Sequence, residues 1–156
     1  MTTKEKLLAL LEDSKGTFFS GEEIARTLQV SRAAVWKAVN ALREDGYTID
    51  AATNKGYRLS PDSDILSPQG IRRFLKPEYR DLDLTVLPTA PSTNALVREK
   101  ANQGRPEGCV IIACEQTDGR GRYGRQFFSP VDSGVYLSLL LRPTAYSPQQ
   151  ATCLTA

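Results

Sequence analysis

Residues 115–130 read EQTDGRGRYGRQFFSP, and within them Gly119, Gly121 and Gly124 alternate with Arg120, Arg122 and Arg125. Glycine permits positive φ and lets backbone N–H groups approach a bound anion. Each guanidinium offers a planar fork to phosphate or carboxylate. The pattern predicts an anion-binding loop that orders when its anion arrives. It is not a P-loop, because GxxxxGK[ST] is absent, nor a dinucleotide fingerprint, because no helix-like run follows the glycines. An RNA-contacting segment or a plain solvated loop would share the composition. Apolar strands on both sides, with Phe127 and Phe128 expected to pin the loop to a core, favour a small-molecule phosphate site.

Upstream, Ser92, Thr93 and Asn94 follow Pro91 at the start of a helical pattern. Either hydroxyl is an adequate N-cap, and that role alone would account for it. Three consecutive hydrogen-bonding side chains at a helix N-terminus also suit a polar heterocycle or a carboxylate.

A third group lies on the helix after Ser31. Ala33, Trp36, Lys37 and Asn40 fall opposite an apolar stripe, with Arg32 in the first turn. Small residues, an amide for adenine and cations for phosphates are what a major groove accepts. Lys55 and Arg58 in the following hairpin are expected to reach neighbouring phosphates. A protein-docking surface would also expose Trp36, but turn length, caps and hairpin agree on DNA.

The rest of the composition limits the chemistry. Among 156 residues, 40% hydrophobic and 24% charged, there is no histidine. That removes Ser-His-Asp and Cys-His catalysis, histidine metal ligands and an imidazole base. No metal site is expected on the protein itself. Cys109, Cys114 and Cys153 form no CxxC pair, and an odd number cannot all pair, so a reducing cytoplasm is the expected setting. No stretch approaches the ~20 apolar residues of a membrane span. Residues 1–60 carry nine Lys/Arg against eight Asp/Glu, so nucleic-acid affinity must come from a local patch and from two half-sites bound by a dimer.

The elements that position these residues follow from caps and periodicity. Thr2/Glu5 and Ser20/Glu23 have capping-box spacing, and Ser31 caps a third helix that Gly46 ends. Inward stripes are Leu7, Leu8 and Leu11, then Ile24, Ala25 and Leu28, then Val35, Ala38, Val39 and Leu42. Two β-prone runs, 47–50 and 56–59, flank Asn54-Lys55-Gly56. Helix, helix, tight turn, helix and hairpin is the order of a winged helix-turn-helix. Residues 61–66 read as a linker. Beyond it come a short helix from Ser67 through Ile71, Phe74 and Leu75, a strand at 84–87, a helix over 93–102, and buried strands at 109–114 and 134–141. Ser147-Pro148 opens a further helix. The layout is α+β.

Taken together, SGEEIARTLQVSRAAVWKAVNALREDG with NKGYRL, the central STN, and QTDGRGRYGRQFFSP followed by GVYLSLLLRP resemble the bifunctional biotin protein ligases that double as biotin-operon repressors. The resemblance implies a winged helix-turn-helix over 1–60, a linker over 61–66, and over 67–156 the first part of a mixed α/β catalytic domain like that of class II aminoacyl-tRNA synthetases. It implies that biotin and ATP, with Mg2+, give biotinyl-5′-AMP, and that a lysine of the biotin carboxyl carrier protein of acetyl-CoA carboxylase then takes the biotin. By the resemblance Ser92, Thr93, Asn94 and Gln116 hold biotin. Gly119, Arg120, Gly121 and Arg122 close over its carboxylate and the phosphates, with Arg120 and Arg122 the catalytic pair. Ser31, Arg32, Ala33, Trp36, Lys37, Asn40, Lys55 and Arg58 face operator DNA, in a ligand-dependent homodimer. The family continues through a KWPND-type segment and an SH3-like domain, so residues 1–156 are expected to be its amino-terminal half and poorly active alone. The alternative is a non-enzymatic winged-helix regulator whose second domain senses a small anion.

Overall fold

The computed structural model describes residues 1–121, 123, 125–131, 133–143 and 150. It divides into two compact units, the first Met1–Arg80 and the second beginning at Asp81. Among the described residues no helix is long and apolar enough to cross a membrane.

In the first unit each expected cap forms. The Thr2 hydroxyl accepts from the Glu5 N–H at 3.2 Å while the Glu5 carboxylate accepts from the Thr2 N–H at 2.8 Å, opening α1 (Thr3–Asp13). Ser20 caps α2 (Gly21–Leu28) through the Glu23 N–H at 3.0 Å. The turn that follows puts Gln29 in the left-handed region, φ 55°. Ser31 caps α3 (Arg32–Glu44) through the Ala34 N–H at 3.1 Å. These bonds satisfy N–H groups that a helix leaves without internal partners. Leu7, Leu11, Ile24, Val35, Val39 and Leu42 bring the three stripes together in one core with Leu59.

The hairpin pairs β1 (Ile49–Ala52) with β2 (Gly56–Leu59), Ile49 opposite Leu59. Its first strand starts two residues later than the sequence pattern suggests, because Tyr47 is drawn into the core. Phe19 bridges Tyr57 beside the hairpin. A Cβ on Gly56 would lie 2.1 Å from the Phe19 carbonyl oxygen, so this position admits only glycine.

Residues 61–66 do not end this unit. Ser67 caps α4 (Pro68–Arg72) through the Gly70 N–H and donates its hydroxyl to the buried Glu12 carboxylate of α1 at 3.4 Å. The Arg73 guanidinium lies 3.9 Å from that carboxylate and donates to the Glu12 carbonyl. The segment expected to open the catalytic part therefore packs on α1, and the unit runs on to Arg80. The helix also stops at Arg72, leaving Phe74 exposed instead of packed as its spacing suggests.

In the second unit, β3 (Asp83–Ala90) passes through α5 (Thr93–Asn102) into β4 (Cys109–Gln116), parallel to β3. Antiparallel β5 (Tyr136–Leu139) completes a sheet of order β3-β4-β5. Central β4 is buried from Cys109 to Ala113. With Val97 of α5 and Leu140, Cys109 and Ile111 form a small core. Burial, with the Asp83 carboxylate adding, pushes the Cys109 thiol up from its ordinary pKa.

The run 134–141 is not a buried strand: β5 is an edge of this sheet, and Leu137 and Leu139 stand 59% and 43% exposed. Phe127 and Phe128 do not pin the loop to a core. Phe128 is 86% exposed, and the half-exposed Phe127 ring meets Tyr136 edge-on, centroids 6.4 Å apart. The helix expected at Ser147-Pro148 lies outside the described residues.

Candidate functional site

The carboxyl ends of the parallel strands β3 and β4 carry the polar residues of the second unit. β3 ends at Ala90, two residues before the Ser92 cap of α5, and β4 ends at Gln116, where the glycine-arginine loop begins. In open α/β sheets this end is where ligands bind, since helix N-termini and strand-following loops converge there.

Thr93 and Gln116 meet directly. The Gln116 Oε1 accepts from the Thr93 N–H at 2.8 Å and from the Thr93 hydroxyl at 3.1 Å. Ser92, buried, spends its hydroxyl oxygen on the Ala95 N–H at 3.4 Å. Asn94 stands exposed on the first turn of the same helix. Two residues missing from the sequence reading join them. The Ser138 hydroxyl of β5 donates to Thr93 Oγ1 at 3.0 Å, and Gln116 Nε2 donates to the Ser129 hydroxyl at 3.2 Å. Ser138 had a detectable signal, a lone hydroxyl inside YLSLLL. Ser129 had none beyond its place at the end of the loop.

The loop returns on itself as a narrow antiparallel ribbon. Gln116 pairs with Ser129 and Arg120 with Gln126. The Phe127 N–H donates to the Gly119 carbonyl and the Gly121 N–H to the Arg125 carbonyl, both at 2.8 Å. This gives the glycines a different reason from the expected one. Neither Gly119 nor Gly121 adopts a positive φ, but a Cβ on Gly119 would stand 2.4 Å from the Phe127 carbonyl oxygen. Gly119 is there for close approach of the returning strand, and the Gly121 N–H is already committed to it. Arg120 reaches back to Asp118, whose carboxylate accepts from Nε at 3.2 Å and Nη2 at 2.9 Å. Both side chains are largely exposed, 72% and 58%, so the pair is screened by solvent. Arg122 and Gly124 lie outside the described residues.

The first unit presents a separate surface. Arg32, Ala33, Trp36 and Lys37 are exposed along α3, Asn40 is half-buried beside them, and Ser31 serves as the cap. Trp36 stands 57% exposed. Between α3 and the hairpin lies a cleft of about 610 Å³ lined by Arg32, Trp36, Thr53, Asn54 and Tyr57 among others. Lys55 is exposed at the hairpin turn. Arg58 is less available than expected: its Nε lies 2.8 Å from the Asp50 carboxylate, and its guanidinium stacks 4.7 Å from the Phe18 ring centre. It braces the hairpin by a charge pair and a cation–π contact.

Two segments of the chain match known families. Residues 3–58 match the HTH domain family, and residues 86–156 match the biotin/lipoate A/B protein ligase family. The bifunctional ligase/repressor BirA of Bacillus subtilis (strain 168) is 39% identical over 142 residues, covering 91% of this chain and 44% of the relative. The bifunctional ligase/repressor BirA of Escherichia coli (strain K12) is 36% identical over 141 residues, covering 90% and 42%. That of Salmonella typhimurium is 35% identical over 136 residues, covering 87% and 40%. The chain spans less than half the length of these relatives. The chain is thus similar over residues 3–58 to the HTH domain family and over residues 86–156 to the biotin/lipoate A/B protein ligase family, and over 136 to 142 residues to part of the bifunctional ligase/repressors.

Proposed function

We propose that this chain belongs to a biotin protein ligase that also represses biotin-synthesis genes. A biotin carboxylate oxygen attacks the α-phosphorus of ATP, pyrophosphate leaves, and biotinyl-5′-AMP forms. The amine of a lysine on the biotin carboxyl carrier protein then attacks the acyl carbon, AMP leaves, and an amide results. The observation that carries this reading is the convergence of the α5 N-terminus, Gln116 and the paired segments 119–121 and 125–127 at one end of the parallel pair.

Each group has a task there. Ser92, Thr93, Asn94 and Gln116 supply hydrogen-bonding partners for the biotin ring. Gly119, Arg120, Gly121 and Arg122 cover the carboxylate and phosphates, with Arg120 and Arg122 as the charge-neutralising catalytic pair. Adenylation needs positioned reactants and neutralised oxygens more than a proton-transfer side chain, so the want of histidine among these residues removes no group the step requires. A ribbon lying over the adenylate would also keep water from a hydrolysable mixed anhydride. Among the described residues no cluster of three His, Cys, Asp or Glu side chains could hold a metal. Mg2+ would instead be carried by the ATP phosphates and help to neutralise them.

For the first unit we propose operator binding, with α3 in the major groove and Lys55 on a phosphate. The near-zero net charge of residues 1–60 gives one unit weak affinity, so two half-sites and a ligand-dependent homodimer follow. Free Cys109 and Cys114 suit a reducing, cytoplasmic setting.

The test is pyrophosphate release with biotin and ATP, assayed on the chain and on the longest reading frame that contains it. Release that requires both substrates supports a ligase. Biotin binding without release in either protein would leave the non-enzymatic sensor.

A further inference from the structure

Two ends of the hydrogen-bond wire at the head of β4 have no choice of role. At one end the Thr93 backbone N–H can only donate, and it donates to Gln116 Oε1 at 2.8 Å. At the other end the Phe127 backbone carbonyl can only accept, and it accepts from the Ser129 hydroxyl at 3.2 Å. Everything between is forced. With Oε1 facing Thr93, the Gln116 amide nitrogen must face Ser129. With its proton spent on Phe127, the Ser129 oxygen must accept from Gln116 Nε2, as its 3.2 Å separation allows. Ser138 extends the same polarity, donating to Thr93 Oγ1 at 3.0 Å. Thr93 and Ser129 are each 3% exposed, so water has little access to substitute for a missing partner. Phe127 in turn pairs through its N–H with Gly119. Ser129 therefore connects the returning strand of the arginine ribbon to the amide of Gln116.

We infer that Ser129 is a positioning residue: by accepting from Gln116 and donating to Phe127 it fixes which way the Gln116 amide points and ties that orientation to the arginine ribbon. Gln116 has a second amide proton beyond the one given to Ser129. In the fixed orientation the amide nitrogen keeps that proton as a further donor. A flipped amide would offer an acceptor in its place and set two donors, its own NH2 and the Thr93 N–H, against each other. Ser129 thus selects ligands that present an acceptor to Gln116. Its consequence for ligand binding rests on the biotin-site reading above; the orientation itself does not.

The experiment uses the whole chain and has two arms. Without ligand, the 15N–1H side-chain amide signal of Gln116 is assigned by its loss in Gln116→Ala. It is expected to shift and to exchange faster with solvent in Ser129→Ala, and to stay close to its original position in Ser129→Thr, which keeps the hydroxyl. With biotin as probe, calorimetry is expected to give about tenfold weaker binding for Ser129→Ala, the usual scale for a buried group left unpaired. Ser129→Thr restores it to within about twofold. In a Gln116→Ala background, Ser129→Ala has no further effect, because it acts through Gln116. An unmoved Gln116 signal in Ser129→Ala overturns the inference. So do unchanged biotin affinity in that variant, additive losses in the double variant, and a Ser129→Thr protein that behaves like Ser129→Ala. If the original chain binds no biotin while its Gln116 signal responds as expected, the biotin-site reading fails and the role of Ser129 stands.

Discussion

The two units carry their candidate sites in opposite ways. In the first, Leu7, Leu11, Ile24, Val39, Leu42 and Leu59 are fully buried, and the groups proposed to face DNA stand on α3, a helix locked into that core. In the second, the buried cluster is Val97, Cys109, Ile111 and Leu140, whereas Leu137, Leu139 and Phe128 are exposed. The groups offered to a ligand there stand at strand ends and on a ribbon held mainly by backbone hydrogen bonds. A recognition helix reads a preformed groove and profits from rigidity. A site that covers a reactive intermediate needs a part that opens and closes.

The contrast breaks first on stability. Leu42→Ala is expected to cost the first unit about 2–5 kcal/mol, the price of a cavity in a closed core. Leu139→Ala should stay within about 0.5 kcal/mol, as for an exposed position. Urea titrations followed by circular dichroism measure both. Equal losses would mean that the exposed leucine row is a core after all.

Next comes chemistry. Arg120→Ala is expected to slow biotin-dependent pyrophosphate release by about a hundredfold, the scale for removing one preorganised charge-stabilising donor. Circular dichroism should leave the fold unchanged, because the Asp118 partner it loses is exposed. A smaller effect follows on DNA. Lys37→Glu should weaken operator binding by about tenfold near 0.1 M salt and flatten its salt dependence, as measured by fluorescence anisotropy. Insensitivity to both would turn α3 into a protein-docking face.

The smallest effect is a pH dependence confined to the first unit. Burial pushes the Tyr47 phenol up, a hydrogen bond with Ser67 opposes this, and the Glu12 and Asp45 carboxylates add to the rise. The unfolded chain gives up this proton near the ordinary tyrosine value of about 10, while the folded chain keeps it. Above that pH the unfolded state binds fewer protons, so stability falls as pH rises; below it Tyr47 contributes no pH dependence. Tyr47→Phe should remove this alkaline loss in thermal melts of the chain.

What was legible in the sequence divides along a similar line. The caps at Thr2, Ser20, Ser31 and Ser92 were readable because each closes a hydrogen bond three residues away. The helix over 93–102 has its expected bounds for the same reason. The packing of α4 on α1 was not readable: it depends on a buried carboxylate, Glu12, whose partner Ser67 lies 55 residues away. An all-apolar run such as GVYLSLLL cannot show which row a neighbouring layer covers, so the exposure of Leu137 and Leu139 was missed. The sequence pattern gives Gly119 an anion to approach, and the structure gives it a returning strand. Close approach to an anion and close approach to a returning strand demand the same residue, and only the 2.4 Å encounter at Gly119 tells them apart. The residue types at Ser92, Thr93 and Asn94 point to a polar site and the family resemblance adds Gln116, yet Ser129 and Ser138 enter only through the fold.

The most direct test of the central claim is amide hydrogen exchange of the chain with and without biotin plus ATP. Binding at the head of β3 and β4 under the ribbon predicts exchange slowed at least about tenfold across the backbone N–H groups of residues 117–128, including Gly121 and Phe127, with α1 to α3 unchanged. Unchanged exchange across that ribbon, with protection appearing elsewhere, would contradict it.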